Sequence, residues 1–303
     1  MRYFGNDIKL FVNNLVVSYT DQGSDDAPVI IFIHGFPLNK IMWNNQVEAL
    51  MGRFRVIAYD IRGHGNSDAG NDNFTIDLFA TDLIQFMDML KIEKASLCGL
   101  SMGGYIALNA IENYPERFDA LVLSDTNCRP DSVEAKEKRM KAIHNILENG
   151  VSNYADESVK KLFAQESFST HEDEIISVKE MICNTSEESL SCTLLALAAR
   201  NETCNKLSHI DVPVLILVGE EDKITPPKVS LQMHESIKDS IMYIIPHAAH
   251  LSNMEQPEQY NEQLMRFFAK VYKTHEALDT KDSNSIFVQM REKVMMLLSI
   301  NSI

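Results

Sequence analysis

The stretch Ala95-Ser96-Leu97-Cys98-Gly99-Leu100-Ser101-Met102-Gly103 decides the fold. Residues 95–98 form a short apolar run of strand length, and residues 102–113 continue as a helical pattern. Between them stands a serine with a glycine two residues to either side. A serine hydroxyl is a weak nucleophile unless it is held in an exposed, sharply turned position beside a base. Glycines at those two positions let a strand and a helix approach such a turn without a Cβ clash. Gly-x-Ser-x-Gly is a weak signal as a bare string, and the strand before it and helix after it make it specific. Ser101 is therefore the candidate nucleophile.

Partners for Ser101 occur downstream in the order such a site requires. Asp222, in Gly219-Glu220-Glu221-Asp222, follows an apolar run at residues 214–218, and His250, in His247-Ala248-Ala249-His250, follows another at residues 241–245. Open α/β sheets place ligands at the C-terminal ends of their strands, so three residues distant in sequence can converge there. His250 is expected to take the proton from Ser101, and Asp222 to orient the imidazole and stabilise its charged form. Two rivals stand beside them: His247 as the base, and Asp125, after the run at residues 120–124, as the acid. Upstream, His34-Gly35-Phe36-Pro37 follows a run at residues 29–33. The backbone N–H of Phe36 in that loop, with that of Met102 at the helix start, makes a candidate oxyanion hole.

The remaining chain supplies a frame for these loops. Two β-rich runs at residues 8–12 and 15–19 flank Asn13-Asn14, a hairpin signal. Further apolar runs at residues 29–33, 55–59, 95–98, 120–124, 214–218 and 241–245 alternate with helical segments such as residues 75–90. The pattern predicts an α/β class chain with a doubly wound, mostly parallel sheet and an N-terminal hairpin. From residue 127 to 207 no convincing strand occurs, only amphipathic segments around residues 135–147, 159–163 and 189–200. The expected organisation is a core of residues 1–126 and 208–270, a helical cap of residues 127–207 inserted into it, and a tail of residues 271–303 with one helical segment at 285–298.

Composition limits the partners. Hydrophobic residues make up 45% of the 303-residue chain and charged residues 23%, an ordinary globular mixture. The formal charge of -15 argues against nucleic acid and anionic membrane surfaces, which need a positive patch. The start of the sequence lacks the pattern of a signal peptide, and no apolar run approaches bilayer-spanning length. Five scattered cysteines (98, 128, 183, 192 and 204) without CxxC spacing suggest neither a disulfide framework nor a zinc site, so reduced thiols in a cytoplasmic protein are expected. No metal or organic cofactor is expected either, for the histidines lack paired ligand spacing and no glycine-rich phosphate loop occurs.

These motifs together resemble the α/β-hydrolase superfamily over residues 29–268. His34-Gly35 resembles its oxyanion loop, and Asp60-Ile61-Arg62-Gly63-His64-Gly65-Asn66-Ser67 resembles a loop that shapes the domain without supplying a catalytic group, which implies a structural His64. Gly99 to Gly104, Tyr114-Pro115-Glu116-Arg117 and the proposed cap are similar to 3-oxoadipate enol-lactonases and small carboxylesterases. The loop from His34 to Leu38 also resembles arylesterases of the cofactor-free haloperoxidase group. Haloalkane dehalogenases and epoxide hydrolases share the fold but carry aspartate where Ser101 stands. The resemblance implies cleavage of a small-molecule ester or lactone through an acyl-enzyme. C–C bond hydrolysis, perhydrolysis and a non-catalytic small-molecule receptor on the same fold are the alternatives.

Overall fold

Strand formation begins where the sequence signals it. In the computed structural model, which describes residues 7–273, β1 (Ile8–Val12) and β2 (Leu15–Gln22) pair antiparallel, and Val12 faces Leu15 across the turn. Asn13 and Asn14 take positive φ angles of 49° and 63°, as a tight hairpin turn demands. The sheet continues through β3 (Val29–Ile33), β4 (Arg55–Tyr59), β5 (Ala95–Leu100), β6 (Phe118–Ser124), β7 (Val214–Gly219) and β8 (Ile241–Ile245). These eight strands lie in the order β1-β2-β4-β3-β5-β6-β7-β8. Only the pairs involving β2 are antiparallel, so from β4 to β8 every strand points the same way.

Alternate side chains of the central strands enter two separate cores, as the two-residue period of a strand requires. Ile31, Ile33, Leu97, Leu121, Leu123 and Ile216 join one core with α2 (Ile76–Met89), α3 (Met102–Asn113) and part of α8 (Pro227–Ser236). Ile30, Phe32, Cys98, Val122, Leu215 and Leu217 join the other with α1 (Asn44–Leu50) and α10 (Pro257–Val271). Trp43, Tyr260, Phe32, Phe54 and Phe268 are fully buried in that second layer. Burial of such side chains contributes about 1.5–3 kcal/mol each relative to exposure. Helix α2 starts where Thr75 accepts a hydrogen bond from the Leu78 amide, a cap that satisfies one orphan donor.

Between β6 and β7 the chain leaves the sheet as α4 (Val133–Leu162), α5 (Ser167–Thr170), α6 (Glu172–Cys183) and α7 (Glu187–Ala199). The segments at residues 135–147 and 159–163 are parts of one element bent at Gly150, whose φ of 80° and ψ of 167° are non-helical. Helix α6 is an addition to the expected set. Its acidic first turn, Glu172, Asp173 and Glu174, suits a helix N-terminus.

The expectation of reduced, unpaired thiols is corrected at two positions. Cys128 and Cys204 form a disulfide, with Cα atoms 4.8 Å apart and a sequence separation of 76. The reason is topological: the inserted helices leave after β6 and return before its neighbour β7, so the two ends of the insertion meet. Sequence spacing carries no sign of that approach. Thr203 N–H also donates to Cys128 O at 2.9 Å. Nearby, Asp131 accepts hydrogen bonds from Arg139 and Arg200, and the Arg200 guanidinium lies 4.4 Å from the centre of the Tyr105 ring. Cys98, Cys183 and Cys192 are free. The bridge removes thiol usage as a ground for expecting a cytoplasmic location. Among the described residues no helix is long and apolar enough to cross a membrane, and the helical segment expected at residues 285–298 lies outside the described residues.

Candidate active site

The turn between β5 and α3 places Ser101 at the C-terminal edge of the sheet, in a backbone conformation most residues avoid. Its φ is 53° and its ψ is −111°, a region that costs of order 1–3 kcal/mol and persists only where the surroundings enforce it. The surroundings here are glycines packed against backbone. A Cβ on Gly99 would sit 2.2 Å from Gly103 O, and one on Gly103 would sit 2.1 Å from Ile33 O. The Ser101 N–H is fixed to Ser124 O at 2.9 Å, and Ser101 O accepts from the Thr126 hydroxyl at 2.8 Å. The sharp turn is thus held from β3, from β6 and by its own helix.

Two loops bring the partners. His250 Nε2 lies 2.9 Å from Ser101 Oγ, and His250 Nδ1 lies 2.8 Å from Asp222 Oδ2. The Asp222 carboxylate can only accept, so Nδ1 carries the proton and Nε2 is left to accept from the serine hydroxyl. Asp222 is itself immobilised. Its Oδ1 accepts from the amides of Ile224 (2.7 Å) and Thr225 (3.0 Å), and its Oδ2 accepts from the Thr225 hydroxyl at 2.7 Å. Burial pushes the Asp222 carboxyl up, but the His250 charge and these hydrogen bonds outweigh it and hold the group below the usual carboxylate range. Burial likewise pulls the His250 imidazole down, yet the Asp222 charge and hydrogen bond, aided by Asp125 and Glu255, raise it above its ordinary 6.5.

The sequence rivals occupy other places. His247 turns outward at φ 56°, with its side chain 70% exposed and 3.5 Å from Glu166. Asp125 is fully buried beneath the site, where Oδ1 accepts from Gly219 N at 2.8 Å and Oδ2 accepts from Ser252 Oγ at 2.5 Å and Ser124 Oγ at 2.9 Å. Burial and the nearby Asp222 charge raise its pKa. It bonds to the strands and loops that carry Asp222 and His250.

The loop after β3 brings Phe36 over the same edge. His34 Nε2 accepts from Ile61 N at 3.0 Å, so the imidazole ties this loop to the one after β4. Among the described residues no protein acceptor takes the backbone N–H of Phe36 or of Met102. The Phe36 side chain packs on the apolar cluster of Ile146, Leu190 and Leu194 from α4 and α7. His64 is buried, its Nδ1 3.0 Å from Arg62 O, and burial pulls its pKa down to about 4. Such a ring stays neutral, in keeping with a structural place. Asp60 in that loop accepts from the Lys40 amide at 2.8 Å and the Lys40 ammonium at 2.7 Å. Among the described residues no cluster of His, Cys, Asp and Glu is arranged to hold a metal ion.

One buried acid close to His250 escaped sequence reading. Glu255, at the end of α9 (Ser252–Glu255), is 1% exposed and accepts from Ala249 N, next to His250. In sequence it is one more acidic residue in a helical run, and only its burial distinguishes it.

The sheet thus gathers a strained serine, a histidine and an aspartate at the C-terminal ends of its strands. The model of the alpha/beta hydrolase fold matches residues 28–174, and the chain belongs to this family. It is similar to a thermophilic esterase from Thermogutta terrifontis, with 33% identity, a TM-score of 0.83 and coverage of 88% of this chain and 99% of that one. It is also similar to 3-oxoadipate enol-lactonase 2 of Acinetobacter baylyi, 28% identical over 252 residues, which are 83% of this chain and 92% of the relative. The enol-lactonase from Burkholderia xenovorans LB400 shares 26% identity and a TM-score of 0.81 over 86% of this chain and all of its own (100%). The resemblance expected from the motifs therefore holds for the fold and for kinship with enol-lactonases and esterases.

Proposed function

We propose that this chain is a serine hydrolase that cleaves a small carboxylic ester or lactone through an acyl-enzyme. The observation that carries the reading is the unbroken hydrogen-bond chain from Ser101 Oγ to His250 Nε2 and from His250 Nδ1 to Asp222 Oδ2. In the first half-reaction His250 takes the Ser101 proton as Oγ attacks the carbonyl carbon, and the Phe36 and Met102 N–H groups receive the oxyanion. The protonated His250 then gives its proton to the leaving alcohol, or to the alkoxide end of an opened lactone. Water then enters and loses a proton to the same histidine as it attacks the acyl carbon; the bond to Ser101 Oγ breaks, the acid leaves and His250 returns its proton to Oγ. Side chains and backbone supply every group these steps need.

Residues 127–207 act in this reading as a cap over the site. Its support is the contact of Phe36 with Ile146, Leu190 and Leu194, which sets an apolar surface against the loop that carries Phe36 and favours uncharged acyl or alcohol groups. Similarity to an esterase and to enol-lactonases favours the ester and lactone classes over C–C bond cleavage. A panel of p-nitrophenyl esters and simple lactones of graded size tests the proposal. Multiple turnovers of at least one short-chain member, absent from Ser101→Ala, are expected. Saturable binding of the panel without turnover by either protein would instead mark a receptor built on this fold.

A further inference from the structure

The loop that carries His250 is fastened to the inserted helices by a carboxylate that the hydrolytic steps above do not use. Glu255 Oε1 accepts from Ala249 N at 2.7 Å, on the residue that precedes His250. Its Oε2 accepts from Ala164 N at 2.7 Å and from Ser167 Oγ at 2.6 Å, both just beyond the end of α4. His250 donates its own N–H to Leu162 O, the last residue of α4, at 3.0 Å. The histidine backbone and its neighbour are therefore bonded to residues 162–167 at two levels, one direct and one through Glu255. A buried carboxylate with three donors is costly to leave half-satisfied, which makes the connection an all-or-none feature.

We propose that Glu255 is a positioning residue for hydrolysis, clamping the His250 loop to the inserted helices so that His250 is aligned with Ser101 only while those helices are seated. The proposal rests on the serine-hydrolase reading given above. The two loops so joined belong to different parts of the chain: one follows β8, and the other belongs to the insertion between β6 and β7. Displacement of α4 and α5 pulls on Ala249 and His250 directly, so helix opening and loss of histidine alignment become one event.

The clamp also has an electrostatic side. The charges facing His250 are Asp222 from the β7 loop, Asp125 from the end of β6 and Glu255 from α9, and all three favour its protonated form. His171, before α6, acts on Glu255 from the other side, with its Nδ1 2.8 Å from Thr170 Oγ1. In Glu255→Gln the side chain keeps its shape, but its NH2 group must face either Ala249 N–H or Ala164 N–H, donor against donor. The same exchange removes a negative charge from the neighbourhood of His250. Ser167→Ala is the milder variant: it deletes one hydroxyl and leaves the charge.

The test measures kcat, KM and the pH dependence of kcat/KM for wild type, Glu255→Gln, Ser167→Ala and Ser101→Ala on a p-nitrophenyl ester, with folding checked by circular dichroism. Folded Glu255→Gln is expected to lose at least about tenfold in kcat with a smaller change in KM, as fits one lost bond to a charged group. Its acid limb should move to lower pH, because the imidazole is then easier to deprotonate. Ser167→Ala should lose a smaller factor in kcat and keep the wild-type limb. Wild-type kcat in folded Glu255→Gln, or a reduced kcat with an unmoved acid limb, would overturn the proposal. Should Glu255→Gln not fold, Ser167→Ala decides, and an unchanged kcat there would equally overturn it. Activity remaining in Ser101→Ala would bring down the serine reading instead, so the two failures are distinguishable.

Discussion

Replacing Asp222 by Asn should nearly silence the enzyme while leaving it folded, and the reason can be followed atom by atom. Oδ1 of Asp222 accepts two backbone amides, Ile224 N and Thr225 N, so an asparagine will keep its carbonyl oxygen there. Its NH2 group then takes the Oδ2 position, 2.7 Å from Thr225 Oγ1, which can turn to accept, and 2.8 Å from His250 Nδ1, which in the wild type donates. To avoid opposing donors the imidazole must shift its proton to Nε2. That nitrogen faces Ser101 Oγ at 2.9 Å and can no longer take its proton. In a serine protease the equivalent exchange lowers the rate about 10⁴-fold, or about 5.5 kcal/mol in activation free energy, and a loss of that order is expected here. Asp125→Asn is the matched control. Its oxygen keeps Gly219 N, and its NH2 can donate to Ser252 Oγ and Ser124 Oγ, both able to accept, so turnover should fall far less. Both variants are compared by kcat on one p-nitrophenyl ester at neutral pH, with circular dichroism spectra confirming the fold. Near-normal turnover in Asp222→Asn beside a severe loss in Asp125→Asn would refute the assignment of the acid.

Two further outcomes follow from the same geometry. The base must be neutral to act and its pKa is raised above 6.5 by the Asp222 charge, so kcat/KM should have its acid midpoint above 6.5 and fall about tenfold per pH unit below it; a midpoint well under 6.5 in a pH–rate profile would contradict that coupling. Removing the Cys128–Cys204 bridge, by reductant or as the double serine variant, should destabilise the protein by up to roughly 4.5 kcal/mol, the chain-entropy value for its sequence separation of 76; an unchanged midpoint of thermal unfolding, with thiol titration confirming the reduced state, would show that the bridge does not hold the insertion.

Much of this site is legible in the amino-acid sequence because its chemistry is tied to local punctuation. Ser101 sits between an apolar run and a helical pattern, and Asp222 and His250 each follow apolar runs, so the strand ends that gather them were visible as residues 95–98, 214–218 and 241–245. What stayed hidden depends on contacts between distant segments. His247 and His250 are three residues apart on one loop, and only the positive φ that turns His247 to solvent separates them. Asp125 and Asp222 both follow strands, and only the orientation of their carboxylates assigns Asp222 to His250. Glu255 is held by Ala164 and Ser167, from the distant segment after α4, which no periodicity near residue 255 encodes. The disulfide partners are named by the adjacency of β6 and β7 rather than by cysteine spacing. Helix α4 shows the same limit, for its buried residues Ile146, Ala155, Ser158, Val159 and Leu162 are sparse among charged ones, and the bend at Gly150 breaks their spacing.

Ser101 carries the acyl group in the proposed reaction, and intact-protein mass spectrometry can locate it. The protein is mixed with a fluorophosphonate or a slowly deacylating p-nitrophenyl ester, activity is followed in parallel, and the modified peptide is then sequenced. One adduct per chain is expected on Ser101, appearing in step with loss of turnover and absent from Ser101→Ala. Complete inactivation with the adduct on another residue, or full turnover by a chain in which Ser101 is quantitatively modified, would contradict it.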